Sequence, residues 1–240
     1  MNKDTLFQAG TILSLLQGVY EGDVTVSTLA SKGDTGLGTF NGVDGELVAL
    51  DGDFYRIDVN GAAMKAPANT CTPFAVVSHF KPQIQVTLSG VKDLDTLNRL
   101  IDGHLPTFNT FYMVRIEIDA EEIQLRSESP QKKPYRPLTE TLAEVQKAFG
   151  LKNSRGTLVG LRSPGFSSRL SVPGYHFHYI DQERKKGGHV FNLKLTSAKV
   201  GIQPLHGWEI ALFNNALFHK ANLDVDVEGA VEKVEKDPQH

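Results

Sequence analysis

The fold is decided by Gly174-Tyr175-His176-Phe177-His178-Tyr179-Ile180 and, after a charged turn, by Gly187-Gly188-His189-Val190-Phe191. Both segments are rich in Val, Ile, Phe and Tyr, which favour β-strands. The polar residues 181–186 and the two glycines that follow predict a reversal, because glycine accepts the positive φ of a tight return. The sequence therefore predicts two antiparallel strands in a mostly β second half.

Three histidines lie on these two predicted strands. Side chains two residues apart on a strand point to the same face at roughly 6.6 Å spacing, so His176 and His178 can converge on one ion. The returning strand brings His189 beside them. With 8 histidines in the chain, spacing alone also fits ordinary surface or core histidines. Three neutral imidazoles without an obvious fourth protein ligand are nevertheless typical of a catalytic zinc with an open position.

The composition limits the possible classes of protein. A chain of 240 residues that is 40% hydrophobic and 22% charged can bury a large core in one or two closely packed domains. A net charge of −3 with scattered Lys and Arg argues against nucleic-acid and membrane partners. The single cysteine, Cys71, excludes an intramolecular disulfide and fits a reducing compartment. Since no signal segment or membrane span is visible, we expect a soluble cytoplasmic protein that acts on a small molecule.

The order of elements predicts an α+β, mostly β fold. In the first half, helices are predicted at 11–20, 27–31 and 91–101, and strands at 36–40, 45–50, 54–59, 111–118 and 123–126. Asp51-Gly52 predicts a tight hairpin between two of these strands. Residues 129–137 contain three prolines and predict a linker. We therefore expect a mixed-sheet α/β domain at 1–130 and a β-rich metal-binding domain at 131–240, which opens with a helix at 139–149.

Four motifs together resemble the α-acetolactate decarboxylase family over nearly the whole chain. They are Asp44-Gly45-Glu46 with Leu50-Asp51-Gly52, Gly156-Thr157-Leu158-Val159-Gly160, Pro173-Gly174-Tyr175-His176-Phe177-His178, and Gly187-Gly188-His189-Val190. The resemblance implies an N-terminal mixed β-sheet domain with helices, packed against a C-terminal β-barrel-like domain that carries the metal site. The two domains would share one active site.

The resemblance also implies an activity and its residues. The family is a zinc-dependent carboxy-lyase that converts 2-acetolactate, a 2-hydroxy-3-keto acid, to acetoin and CO2, and we expect a homodimer. The residues that match the family's zinc ligands are His176, His178 and His189. The family's active-site glutamate and arginine fall on Glu46 and Arg126. A second functional glutamate near the C-terminus falls on Glu235, with Glu228 and Glu232 as alternatives, and Arg162 receives no role.

This chemistry suits the candidate residues. Acetolactate is a β-keto acid, so the electrons left by CO2 flow into its own ketone and form an enediolate. A zinc ion would chelate the ketone and the neighbouring hydroxyl and stabilise that charge. Arg126 could hold the carboxylate through paired hydrogen bonds, and a glutamate could then protonate the enediolate. Local sequence alone would favour solvated roles for Glu46, Arg126 and Glu235.

Two other functions remain open at the level of sequence. The first is a non-catalytic β-domain that uses the histidines for a structural or sensory metal. An acidic and a basic residue facing the open side of the metal would argue against it. The second is another metal-dependent lyase or hydrolase on a cupin-like barrel, which would use a carboxylate ligand such as Asp181 or Glu183.

Overall fold

Two β-sheets form the framework of the part of the chain that the computed structural model describes, residues 4–225. The strands are β1 Thr5–Ala9, β2 Val24–Thr25, β3 Thr35–Thr39, β4 Glu46–Leu50, β5 Asp53–Ile57, β6 Ala63–Lys65, β7 Cys71–Thr72, β8 Phe74–Ser78, β9 Ile84–Leu88, β10 Phe111–Glu128, β11 Gln146–Ser163, β12 Gly174–Asp181, β13 Gly187–Leu205 and β14 Gly207–Ala211. The α-helices are α1 Ile12–Leu16, α2 Val26–Lys32, α3 Leu94–Asp102, α4 Leu138–Val145 and α5 Ala216–Lys220. The predicted mostly β class is therefore confirmed. Among these helices, none has the length and hydrophobicity that crossing a membrane requires.

The first sheet has the order β14-β1-β8-β3-β4-β5-β6. Its pairs are antiparallel except for β1 with β14, so the expected mixed sheet is confirmed. The predicted Asp51-Gly52 turn connects β4 to β5, and both turn residues have positive φ, as a tight two-residue hairpin requires. β1 was not predicted from the sequence.

The second sheet has the order β10-β11-β12-β13-β9, and β10 also pairs with β13. The predicted antiparallel pair of histidine strands is confirmed as β12 and β13. Strand pairing crosses the proposed boundary near residue 130 in both directions, since β9 and β10 join the second sheet and β14 joins the first. The division into two domains and the barrel-like shape of the second stay predictions.

The helix predicted at 139–149 was too long. It ends at Val145, and residues from Gln146 onward form β11. The reason is tertiary, because the start of β11 pairs with the end of β10 and places Phe149 opposite Leu125. Strand pairing has overridden the local helical periodicity here.

The two sheets pack against each other through a shared apolar core. One buried cluster contains Val48 and Ile57 from the first sheet together with Val159, Leu161 and Ile180 from the second. This contact brings β4 against β12. Polar side chains at that interface are consequently removed from water.

Candidate active site

The three predicted histidines meet between the sheets. His178 lies directly opposite His189 on the neighbouring strand, and His176 precedes His178 by two residues on the same strand. His176 Nε2 is 3.0 Å from His178 Nε2 and 3.2 Å from His189 Nδ1. One ring nitrogen from each histidine lies within 4.8 Å of the others, so the cluster could hold a metal ion.

Removal from water keeps these imidazoles neutral. Burial, reinforced by the charge of Arg126, lowers the pKa of His176 to about 3. Burial also lowers the pKa of His178 and of His189 well below 6.5, with His176 adding to the effect at His178 and Arg126 adding to it at His189. Since metal ligands must be deprotonated, the rings are ready to bind at neutral pH.

A backbone carbonyl of the first sheet orients His178. His178 Nδ1 lies 2.8 Å from the carbonyl oxygen of Leu47 on β4. A carbonyl only accepts, so Nδ1 carries the proton and Nε2 presents its lone pair to the cluster. This arrangement is usual for histidines that bind metals, because the second hydrogen bond fixes both the tautomer and the ring.

Glu46 approaches the cluster from the facing sheet. It is the first residue of β4, its side chain is buried, and its Oε2 lies 3.3 Å from His178 Nε2. Because that nitrogen presents a lone pair, the contact is favourable when the carboxyl group carries a proton or when a cation lies nearby. Glu46 is therefore placed where it could exchange a proton with a molecule at the cluster.

Arg126 lies on β10 directly opposite His189. It is only 3% exposed, and its Nη2 lies 3.1 Å from His189 Nε2. β10 has partners on both sides, β11 and β13, so Arg126 is not on an edge strand. The solvated position that local sequence favoured for this arginine is wrong.

One cavity of about 50 Å³ joins these groups. It is lined by the three histidines, Glu46, Arg126, Thr39 and Glu128, and by apolar side chains that include Leu15 of α1 and Leu142 of α4. Sequence reasoning missed Glu128 and Thr39. The available signal for Glu128 was its spacing, since it follows Arg126 by two residues on the same strand.

The remaining candidates are the C-terminal glutamates and Arg162. Glu228, Glu232 and Glu235 fall outside the described residues. Arg162 donates to the carbonyl oxygen of Phe108 and stacks over that ring, which is a packing role.

Asp181 and Glu183 do not provide a fourth metal ligand. Asp181 is the last residue of β12 and accepts hydrogen bonds from the backbone N–H groups of Lys185 and Lys186, and Glu183 lies in the turn that follows. Glu183 pairs with the side chain of Lys185. Neither belongs to the histidine cluster found among the described residues, which disfavours a cupin-like ligand set.

The donor set fits a divalent transition metal. Three neutral imidazoles that converge without a described protein carboxylate among them are the donors that zinc accepts while keeping a position open. An acidic residue, Glu46, and a basic one, Arg126, line the same cavity. A purely structural metal site needs neither of them.

Comparison with known proteins agrees with this arrangement. The model of the family described as Alpha-acetolactate decarboxylase matches residues 6–225. The chain is 37% identical to the alpha-acetolactate decarboxylase of Brevibacillus brevis, over 92% of this chain and 77% of that protein. It is also 37% identical to that of Bacillus subtilis, over 98% of this chain and 92% of that protein. A crystal structure of the Bacillus subtilis protein has a TM-score of 0.93 at 36% identity, covering 97% of this chain and all of that one. The chain therefore belongs to the α-acetolactate decarboxylase family, a family of carboxy-lyases.

Proposed function

We propose that this protein decarboxylates 2-acetolactate to acetoin and CO2 with zinc held by His176, His178 and His189. The observation that carries the proposal is the cluster of three neutral histidines, two of them buried, with Glu46 and Arg126 in one cavity. The names of the relatives support the substrate. Zinc at this position would act as a Lewis acid toward the ketone and hydroxyl oxygens of the substrate.

Arg126 binds and orients the substrate carboxylate in this proposal. A guanidinium cannot lose its proton at physiological pH and offers a planar fork of N–H donors that matches a carboxylate. Its burial strengthens the attraction, because few water molecules screen it. The carboxylate is thereby held beside the histidine cluster.

Glu46 donates the proton that replaces CO2. Its position on the sheet opposite the histidines lets it approach a substrate from one side only, which would fix the handedness of the product. The apolar side chains of α1 and α4 limit access of water, so that an adventitious proton does not compete.

Glu235 remains the proposed second carboxylate, with Glu228 and Glu232 as alternatives. We also propose a cytoplasmic homodimer whose C-terminal half forms a β-barrel-like domain, without nucleic-acid or membrane partners. The small net charge of −3 supports the expectation that the protein has no nucleic-acid or membrane partner.

The test is to incubate the purified protein with 2-acetolactate and to measure acetoin and CO2. We expect turnover that a chelator removes and that added zinc restores. Metal binding with no acetoin above the spontaneous rate would favour the non-catalytic metal-binding domain instead. The ratio of zinc to protein, measured on the same sample, separates an unloaded enzyme from an inactive one.

A further inference from the structure

Glu128 is a buried carboxyl group of the cavity to which no role has been given. It is the last residue of β10 and is 6% exposed. It lines the same cavity as Arg126, Glu46 and the three histidines. Because it follows Arg126 by two residues on one strand, both side chains point to the same face.

A buried guanidinium needs a counter-charge, since it cannot become neutral by losing a proton. The cavity contains two described carboxyl groups, Glu46 and Glu128. Glu46 belongs to the facing sheet and its Oε2 lies next to His178. Glu128 is adjacent to Arg126 on the same strand face, which makes it the better placed of the two.

The backbone at this end of β10 is held in place. The Ser127 hydroxyl donates to the carbonyl oxygen of Ile57 at 3.0 Å. Ile57 is in turn paired directly with Glu46 across β4 and β5. Arg126 and Glu128 therefore project from a segment whose position relative to the facing sheet is fixed by a buried hydrogen bond.

We propose that Glu128 is a positioning residue for Arg126: it is the counter-charge that holds one edge of the guanidinium and leaves the other donors for the substrate carboxylate. The inference rests on the proposed function, because it assigns Glu128 a part in the same site. A guanidinium has five N–H donors in a rigid fork, so it can serve both partners at once. Glu128 acts through Arg126 and makes no contact with the substrate.

Removal of the Glu128 charge should change both the binding of anions and the orientation of the Arg126 guanidinium, and KM and kcat report these two effects separately. In Glu128→Gln, Arg126 loses its counter-charge and attracts anions more strongly, so KM for acetolactate should fall about fivefold. The guanidinium also loses its fixed orientation, so kcat should fall as well. A merely structural residue would lower the active fraction and leave KM unchanged.

The experiment compares wild type, Glu128→Gln, Glu128→Asp and Glu122→Gln as zinc-loaded proteins. We expect KM and the inhibition constant of acetate both to fall in Glu128→Gln and to return toward wild type in Glu128→Asp. Glu122 is the matched control, because it lies on the same strand but is exposed and pairs with Lys152. Unchanged KM and acetate inhibition in Glu128→Gln would overturn the proposal.

Two further measurements keep the test decisive. Calorimetric titration of acetate into wild type and Glu128→Gln needs no turnover, so it tests the pairing even where acetolactate decarboxylation is absent. Should Glu128→Gln fail to fold, a counter-charge role predicts that the double variant Arg126→Gln/Glu128→Gln folds again, because no buried charge is left alone. A double variant that also fails to fold would overturn the proposal.

Discussion

Gly160 on β11 controls the position of the histidine pair. It lies directly opposite Phe177, the residue between His176 and His178. A methyl group added at Gly160 would lie 2.2 Å from Phe177 Cδ1. Since carbon atoms in contact are about 3.5–4.0 Å apart, the ring or the strand must move by more than about 1 Å.

The ring has little freedom to move alone. Phe177 is 2% exposed, and its ring stacks nearly parallel to that of Tyr175 with centroids 5.6 Å apart. We therefore expect Gly160→Ala to displace β12 and to separate the two histidines. Overpacking of this kind costs about 1–3 kcal/mol. For a protein of this size, that corresponds to a fall in Tm of roughly 2–12 °C.

The assay measures Tm by circular dichroism and the zinc content per chain. Gly150→Ala is the matched control, because it changes the same strand at a position where the nearest atom, Ile123 O, would be 3.7 Å away. Adding Phe177→Leu to Gly160→Ala should recover part of the lost Tm and zinc. The reasoning is wrong if Gly160→Ala keeps the Tm and the zinc content of the wild type.

Other predictions concern the site itself. His176→Ala and His189→Ala should each lose most of the bound zinc, and full zinc content in both would exclude them as ligands. Arg126→Lys should lower kcat/KM with zinc unchanged, because lysine keeps the charge but lacks the planar fork; an unaffected kcat/KM would contradict this role. Glu46→Gln should retain zinc and slow acetoin formation by about 10²-fold, so a wild-type rate would leave the reaction without its proposed donor. Metal-free protein should lose stability as pH falls below 6.5. The pKa values of the three histidines are lowered in the folded state, so below pH 6.5 the unfolded chain binds protons that the folded chain does not bind. The free energy of unfolding would fall by about 1.4 kcal/mol per pH unit for each histidine. Equal urea midpoints at pH 7 and pH 5.5 would refute this prediction.

The histidine pair could be predicted from the sequence because its geometry is local. The alternation of side chains along a strand puts His176 and His178 on one face whatever surrounds them. The turn at 181–186 likewise depends on adjacent residues, and it returns the chain so that His189 lies opposite His178. The same holds for the Asp51-Gly52 hairpin.

The burial of Arg126 and Glu46 could not be predicted in this way. Arg126 meets His189 only because β10 pairs with β13, across 63 positions of sequence. Glu46 meets His178 only because β4 packs on β12. No local sequence pattern predicts which face of a strand another sheet will cover. These two residues were identified instead from the resemblance to a known family.

The geometry of adjacent strands explains why the site depends on register. Arg126, His189 and His178 occupy directly opposite positions on three neighbouring strands, β10, β13 and β12. Neighbouring strands are about 4.8 Å apart, so side chains in one such row on one face are near enough to share a ligand. A shift of one residue in β13 would turn His189 to the opposite face. The histidine cluster and the arginine are thus set by the register of β13 with its two neighbours. The facing sheet adds the Leu47 carbonyl, which orients His178, and the polar side chains of Glu46 and Thr39.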